Sequence, residues 1–468
     1  MIWAIVLNIF FVSFTDKPVE GNPALSPRAV EQRARWNIET DALDYPVNAQ
    51  YLDSIRSIGA KVHHTSRWMN GATCEMSDSI AEVIKGLRFV ADVECTRDNR
   101  VFQAGIQKRI VERESMQAIE ATETAASDQL DVYNLRPLHK AGYKGQGILM
   151  AICDGGFYNA DTLSCFRQAE LQLGHFDLTD DSSDFYGSTG SHGTCCLSTI
   201  SGLTEEYEGA ATKAKYYLMR SEEDVTESPK EMDNLVAALE KADSLGVNVF
   251  SVSLGYFLFD NQDWDLTHEM LDGQSTRVSR AATIAARKGM LVCAAAGNEG
   301  NRSWHKICAP ADADSILTVG AVGLDSVIGS FSSYGWSADG RVKPEVCAVG
   351  VKTRLIYPNG SIAKSNGTSF ATPLIAGFAA ALWSALPNEN AMQIRERIIR
   401  SADRYAAPDT EQYGYGIPDG WKAYIMPSPT AIETTECEET SPQKILHGDQ
   451  ILIIRYGHIY TLSGQRIK

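Results

Sequence analysis

The sequence predicts an α/β protein with a mostly parallel central sheet, preceded by a small α+β unit and followed by a C-terminal β-hairpin tail. Three observations carry that reading. Between Leu130 and Met426, apolar runs of strand length alternate with stretches of helical periodicity, the pattern of parallel strands joined by crossover helices. Asp154, Ser253-Leu254-Gly255 and Gly297-Asn298 all fall at the carboxyl ends of those runs, where open parallel sheets place their chemistry. Finally, the turn Gly367-Thr368-Ser369 leads straight into the apolar run Leu374–Leu382. That run reads as a buried helix with Ser369 at its N-terminus, where unpaired N–H groups and the helix dipole favour developing negative charge.

The totals narrow the classes. A chain of 468 residues holds one large domain and one or two small ones. Its net charge of −16 provides no basic footprint for a nucleic-acid partner. Apart from the N-terminus, no apolar run approaches the ~20 residues of a membrane span. Residues 1–16 fit either of two readings. Ile2–Phe14 is almost continuously apolar, as in a secretory signal, but no Lys or Arg precedes it and no small-residue cleavage site follows. The same stretch reads equally as a first β-strand from Asn8 to Phe14. None of the ten cysteines forms a C-x-x-C pair, which weighs against zinc and thioredoxin chemistry. His192-Gly193-Thr194-Cys195-Cys196 has no second His/Cys pair at finger-like spacing, so the metal content stays unknown at this level. Cys153 and Cys293 lie in apolar runs and read as small buried hydrophobes.

Taken in order, residues 8–97 read as the α+β unit. Its helices are Leu25–Trp36, opened by Ser26-Pro27, then Asn48–Ile58 and Ile80–Leu87; its later strands are Lys61–His64 and Phe89–Glu94. Residues 98–129 are polar and charged, without strand signals, and read as a linker in which proteolysis concentrates. The body, 130–426, has strands at Gly147–Cys153, Lys215–Met219, Val247–Leu254, Met290–Ala295 and Ile316–Val322. Helices Lys230–Leu245 and Thr276–Lys288 join them; the first puts Met232, Leu235, Val236, Leu239 and Ala242 on one face. A Pro/Thr/Glu-rich linker, 427–443, leads to the tail, 444–468, where Gln450–Arg455 and His458–Leu462 flank a Tyr-Gly turn. Such a hairpin is too small to be stable alone.

The candidate chemistry needs four parts. Ser369 is the candidate nucleophile, and a serine hydroxyl attacks only if a base takes its proton. His192, ahead of the small-residue helix Cys195–Ser201, is that base; Asp154 is the carboxylate that fixes its tautomer. Asn298 supplies a carboxamide which, with the Ser369 backbone N–H, would hold an oxyanion. Singly, each has an ordinary role to play: an N-cap serine, a turn aspartate, a loop histidine, an asparagine beside a glycine. Jointly, the order Asp, His, Ser is one of the known triad orders.

With these residues in hand, the body resembles the subtilisin-type (subtilase) serine endopeptidases from Leu130 to Tyr424. Asn366–Pro373 carries most of the resemblance, joined by His192-Gly193-Thr194, the Ala-Ala-Gly-Asn segment ending at Asn298, and Asp154 after its apolar strand. The resemblance implies a three-layer subtilisin-like fold, Asp154, His192 and Ser369 as triad, and Asn298 as oxyanion donor. It further implies that Ser253, Leu254, Gly255, Ala295, Ala296 and Gly297 flank the pocket for the residue before the scissile bond, with substrate added as a strand. Ser66–Ala72 and Leu87–Glu94 resemble a subtilase propeptide, which implies a zymogen whose own propeptide chaperones and inhibits it until self-cleavage within 98–129. Leu25–Ala29 and Asp339–Pro344 resemble the Bacteroidetes branch. Tyr460–Lys468 is similar to C-terminal sorting segments for type IX secretion across the outer membrane.

These resemblances imply a secreted or cell-surface enzyme of a Gram-negative bacterium. Its partners are protein or peptide substrates and the outer-membrane export machinery, with no cofactor required for the chemistry. Many subtilases place Ser or Thr after the catalytic Asp, whereas Gly155 provides no hydroxyl here; adjacent Cys195 and Cys196 are uncommon. Structural calcium is frequent in the family, and Asp177–Asp184 is the candidate loop, although it lacks the Gly and terminal Glu of an EF-hand and reads better as a solvated loop. The alternative class is a catalytically silent subtilase scaffold that binds peptides or partner proteins. An α/β-type hydrolase has the wrong triad order.

Overall fold

The structure, a computed structural model, describes residues 6–100, 117–118, 128–166, 172–179, 184–187, 190–223 and 226–429, and strand segments 443–447, 450–455, 458–461 and 466–467. The chain divides into two units, Met1–Met426 and Pro427–Lys468.

At the N-terminus, strand β1 (Asn8–Phe14) is followed by α1 (Pro27–Arg35), α2 (Ala49–Ile58), β2 (Lys61–Ser66), β3 (Gly71–Met76), α3 (Asp78–Lys85) and β4 (Val90–Arg97). Of the two readings of the apolar start, the described part is thus a strand. Its sheet has the order β2-β3-β1-β4, with β1 antiparallel to both neighbours. Ser26 caps α1 by accepting from Ala29 N, and Asn48 caps α2 by accepting from Gln50 N, each worth about 1 kcal/mol. Phe10, Val12 and Phe14 alternate into a core with Ile55, Cys74 and Ile84. Next comes a short strand that the sequence did not announce, β5 (Gln117–Ala118), antiparallel to a hairpin strand of the body; the rest of residues 101–127 lies outside the described part.

The body continues with α4 (Asp128–Val132), α5 (Arg136–Lys140), β6 (Leu149–Asp154), β7 (Gln172–Asp177), α6 (His192–Ser201), β8 (Lys215–Arg220), α7 (Pro229–Leu245), β9 (Val249–Val252), α8 (Arg277–Arg287), β10 (Leu291–Ala295), β11 (Leu317–Val322), β12 (Val346–Val349), β13 (Thr353–Ile356), β14 (Ile362–Ser365), α9 (Thr368–Ala385), α10 (Ala391–Ser401) and α11 (Gly420–Ile425). Seven strands form one parallel sheet in the order β12-β11-β10-β9-β6-β8-β7. The expected five are its interior; β7 and β12 are the edges the sequence reading missed. Buried parallel strands carry apolar residues on both faces. Met150, Ile152, Leu291 and Cys293 meet α9 and α6, whereas Leu149, Ala151, Cys153, Val292 and Ala294 meet α7 and α8 on the opposite face. The result is three layers. Every cysteine among the described residues is a free thiol, and Cys153 and Cys293 are fully buried, as expected.

The N-terminal unit lies against α7. Glu240 accepts from Ser66 Oγ (2.6 Å), Arg67 N (3.0 Å) and Trp68 N (3.1 Å). Asp243 takes Arg33 (2.8 Å) and Arg67 (2.6 Å), and Arg33 also meets Asp44 at 2.6 Å. Arg277 pairs with Glu94 and Asp233, and Arg97 with Glu223. All these groups but Glu94 and Arg97 lie largely out of water. Buried charges tolerate this only when paired.

In the C-terminal unit, β15 (Gln443–His447), β16 (Gln450–Arg455), β17 (His458–Thr461) and β18 (Arg466–Ile467) form a four-stranded antiparallel sheet. The expected hairpin is its middle, β16–β17. Most of the 427–443 linker falls outside the described residues.

Candidate active site

Asp154 is the last residue of β6, held between β8 and β9 and fully buried. Its Oδ1 accepts from Gly155 N at 2.8 Å and from His192 Nδ1 at 2.7 Å. Where a serine or threonine hydroxyl is missing, a backbone N–H supports the carboxylate instead; Oδ2 is buried with no partner among the described residues.

His192 opens α6. The helix can approach Asp154 because residue 193 is glycine: a Cβ there would stand 2.5 Å from the Gly156 carbonyl oxygen and 2.8 Å from Asp154 Cβ. Since Nδ1 donates to the carboxylate, Nε2 is the basic nitrogen of neutral His192. Partial burial opposes the imidazolium, but Asp154, with Cys196 beside it, outweighs that and holds the pKa well above the ordinary 6.5.

Ser369 is the second residue of α9, and Gly367 before it turns the chain at φ 155°. Pro373 is the sixth helical residue, where its missing N–H releases the Ser369 carbonyl oxygen from the helix ladder. Two side chains take that oxygen: Ser253 Oγ donates at 2.8 Å and Cys196 Sγ at 3.3 Å. Burial pushes the Cys196 thiol up to about 12, so it remains a donor. The same Sγ lies 3.7 Å from His192 Nδ1, and the His192 and Phe370 rings are 5.5 Å apart. His192 and Ser369 are therefore linked through Cys196, a contact the sequence reading missed. Its one trace was the position of Cys196 four residues after His192, on the same helix face.

Asn298 follows β10. Its Oδ1 accepts from Thr368 N (2.9 Å) and Thr368 Oγ1 (3.0 Å), which fixes the amide orientation. Gly297 N donates to Thr368 Oγ1 at 3.2 Å, so this segment grips the residue before Ser369 from the other side. Ala296 and Gly297, expected to add a substrate strand, already spend their backbone groups. Ala296 bonds Val319 and Cys308, and the Gly297 carbonyl accepts from Ser333 N. In Ser253-Leu254-Gly255, the other segment expected to take substrate as a strand, Gly255 is exposed.

Two groups have the spacing of a metal site, with ligand atoms within 4.8 Å: Asp154, His192 and Cys196, and Glu222, Glu227 and Glu231. In the second, Tyr256 donates to Glu222 at 2.6 Å, and Glu231 caps α7 by accepting from Ser228 N at 3.2 Å. In the loop suggested for calcium, Asp177 is committed to Thr179 and Arg220, and residues 180–183 lie outside the described part.

Residues 145–416 match the subtilase family, and residues 9–115 match the Bacteroidota peptidase S8 propeptide domain. Subtilisin DY of Bacillus licheniformis is 31% identical over 283 residues, covering 59% of this chain and 90% of its own length. Subtilisin E of Bacillus subtilis is 26% identical over 384 residues, covering 79% and 84%. Among solved structures, MycP1 from Mycobacterium smegmatis aligns with a TM-score of 0.54 at 19% identity, over 69% of this chain and 90% of its own, a likeness of fold.

Proposed function

This chain belongs to the subtilase family and is a serine-type endopeptidase with a Bacteroidota-type propeptide domain, and on that premise we propose the residues and steps of its chemistry. Ser369 Oγ attacks the substrate carbonyl carbon while its proton passes to His192 Nε2. Asp154 holds the resulting imidazolium through Nδ1. Asn298 Nδ2 and the Ser369 N–H hold the oxyanion. Collapse expels the amine, which takes the proton from His192, and water then hydrolyses the Ser369 ester by the same proton route. The observation that carries this reading is the 2.7 Å bond from His192 Nδ1 to Asp154 Oδ1 beside the nucleophile helix.

The proposal extends to processing and location. The 8–97 unit inhibits the 130–426 body until cleavage in the 98–129 arm, and the enzyme acts outside the cell. The tail, 444–468, serves its export across the outer membrane, a role supported by the resemblance of Tyr460–Lys468 to sorting segments. The test is intact mass after exposure to a serine-directed fluorophosphonate, with Ser369→Ala as control. A single adduct on processed wild type and none on the variant is the expected result. A processed, folded wild type that takes no probe indicates a silent peptide-binding scaffold and overturns the assignment.

A further inference from the structure

We propose that Cys308 closes the pocket for the residue before the scissile bond, so that the enzyme cuts after small residues such as alanine, serine and glycine. This rests on the reading above, in which Ser253–Gly255 and Ala295–Gly297 flank that pocket.

A substrate carbonyl placed over Ser369 must send its side chain between these two segments. One holds the Ser369 carbonyl through Ser253 Oγ at 2.8 Å, and the other holds Thr368 through Gly297 N at 3.2 Å. Both end in glycine, which ordinarily leaves room for a ligand to approach. Here that room is taken. A Cβ built on Gly255 would meet Cys308 Cβ at 3.0 Å, and one built on Gly297 would meet Cys308 Sγ at 2.7 Å. One side chain therefore packs against both walls, and it is only 2% exposed.

Its backbone holds it there. Cys308 N donates to Ala296 O at 3.1 Å, and Ala309 exchanges both hydrogen bonds with Tyr256, at 3.0 and 2.8 Å. Cys308 is thus stitched to the residue before Gly297 and, through Ala309, to the residue after Gly255. It cannot swing aside without breaking that pairing. A larger substrate side chain would have to displace a sulfur packed in a dry site, and misfits of about a methylene cost about tenfold or more in specificity. The open cleft of about 790 Å³ nearby, lined by Phe257, Leu266, Glu299 and Trp304, reaches the first of the two segments at Gly255.

The experiment uses processed enzyme and peptides that differ only in the residue before the bond: Gly, Ala, Ser, Leu, Phe or Lys. Each kcat/KM is normalised to the sites titrated by a fluorophosphonate. Wild type should favour Ala or Ser over Leu, Phe and Lys by about tenfold or more, and Cys308→Gly should shift the ratio towards Leu and Phe by a similar factor. If Cys308→Gly fails to fold, Cys308→Ala, which removes only the sulfur, is judged by the same shift. A wild-type preference for Phe or Leu would mean that the side chain enters the Phe257–Trp304 cleft, and the proposal fails. An unshifted profile in a titratable Cys308 variant overturns it equally. Processed protein that takes no probe and cuts no peptide overturns the catalytic reading itself, and this proposal with it.

Discussion

Helices α7 and α9 lie on opposite faces of one sheet and are both buried, but in opposite chemistries. In α9, sixteen of eighteen residues are buried, and the polar ones among them, Thr368, Ser369 and Thr372, gather at its N-terminal end. In α7, thirteen of seventeen are buried, and five of these are charged: Lys230, Glu231, Asp233, Glu240 and Asp243. The apolar helix is sealed by the body itself, each large side chain such as Leu374 or Phe378 contributing about 1.5–3 kcal/mol. The charged helix is covered in large part by the N-terminal unit, whose Arg33, Arg67 and Ser66 meet its carboxylates. The helix that carries Ser369 is buried by the body alone, whereas the Glu240 and Asp243 end of α7 is buried by the N-terminal unit.

That contrast can be broken at several strengths. The largest effect should come from Asp243→Ala, which leaves Arg33 and Arg67 without their shared carboxylate. Docking of the separately expressed N-terminal unit onto the body should weaken by about 3–5 kcal/mol, read by inhibition titration. Unchanged inhibition would mean that the charged face is not what holds the cover. On the other helix's side, Asn298→Ala should lower kcat about 10²–10³-fold, as oxyanion donors do in subtilisin, with little change in docking. Equal turnover in steady-state assays would remove Asn298 from the site.

The pH dependence of docking is smaller and has a definite sign. In the docked state, burial raises the Asp233 carboxyl to about 6, although Arg277 opposes it; Glu94 and Thr96 of the N-terminal unit face the same group. Undocked, the group regains water and moves towards its ordinary 3.8. The docked form thus carries a proton that the open form lacks. Affinity should rise, by at most about tenfold per unit, as pH falls through that window. An inhibition constant that weakens on acidification there contradicts the assignment of Asp233 to the covered face. Smallest of all, Arg56→Ala breaks an ion pair with Asp53 whose partners are half or more exposed, at 50% and 76%. Thermal unfolding should register no more than about 0.5 kcal/mol.

Much of the candidate site was proposed from the sequence because its residues sit where backbone pattern marks them. Asp154 ends an apolar strand, Asn298 lies just beyond one, and Ser369 is the second residue of an apolar helix. The edge strands were not legible. Gln172–Asp177 is polar, with a glycine inside, and Val346–Val349 is only four residues long, so neither has the periodicity of a buried strand. The two-residue strand β5 carries no signal at all. Bonds between residues far apart in the chain were equally silent. Nothing local says that Pro373 frees a carbonyl for Ser253 and Cys196, that Cys308 packs against two glycines, or that Asp243 of α7 meets arginines from the N-terminus.

The central claim is that a preformed nucleophile on α9 cuts the chain loose from its own cover. The most direct test is to purify wild type and Ser369→Ala side by side and track intact mass over time. Wild type, starting at 51.2 kDa, should split within residues 98–129 and gain peptidase activity, while the variant stays whole and inactive. A Ser369→Ala protein cut at the same bond at the same rate, in the absence of any other protease, would contradict it.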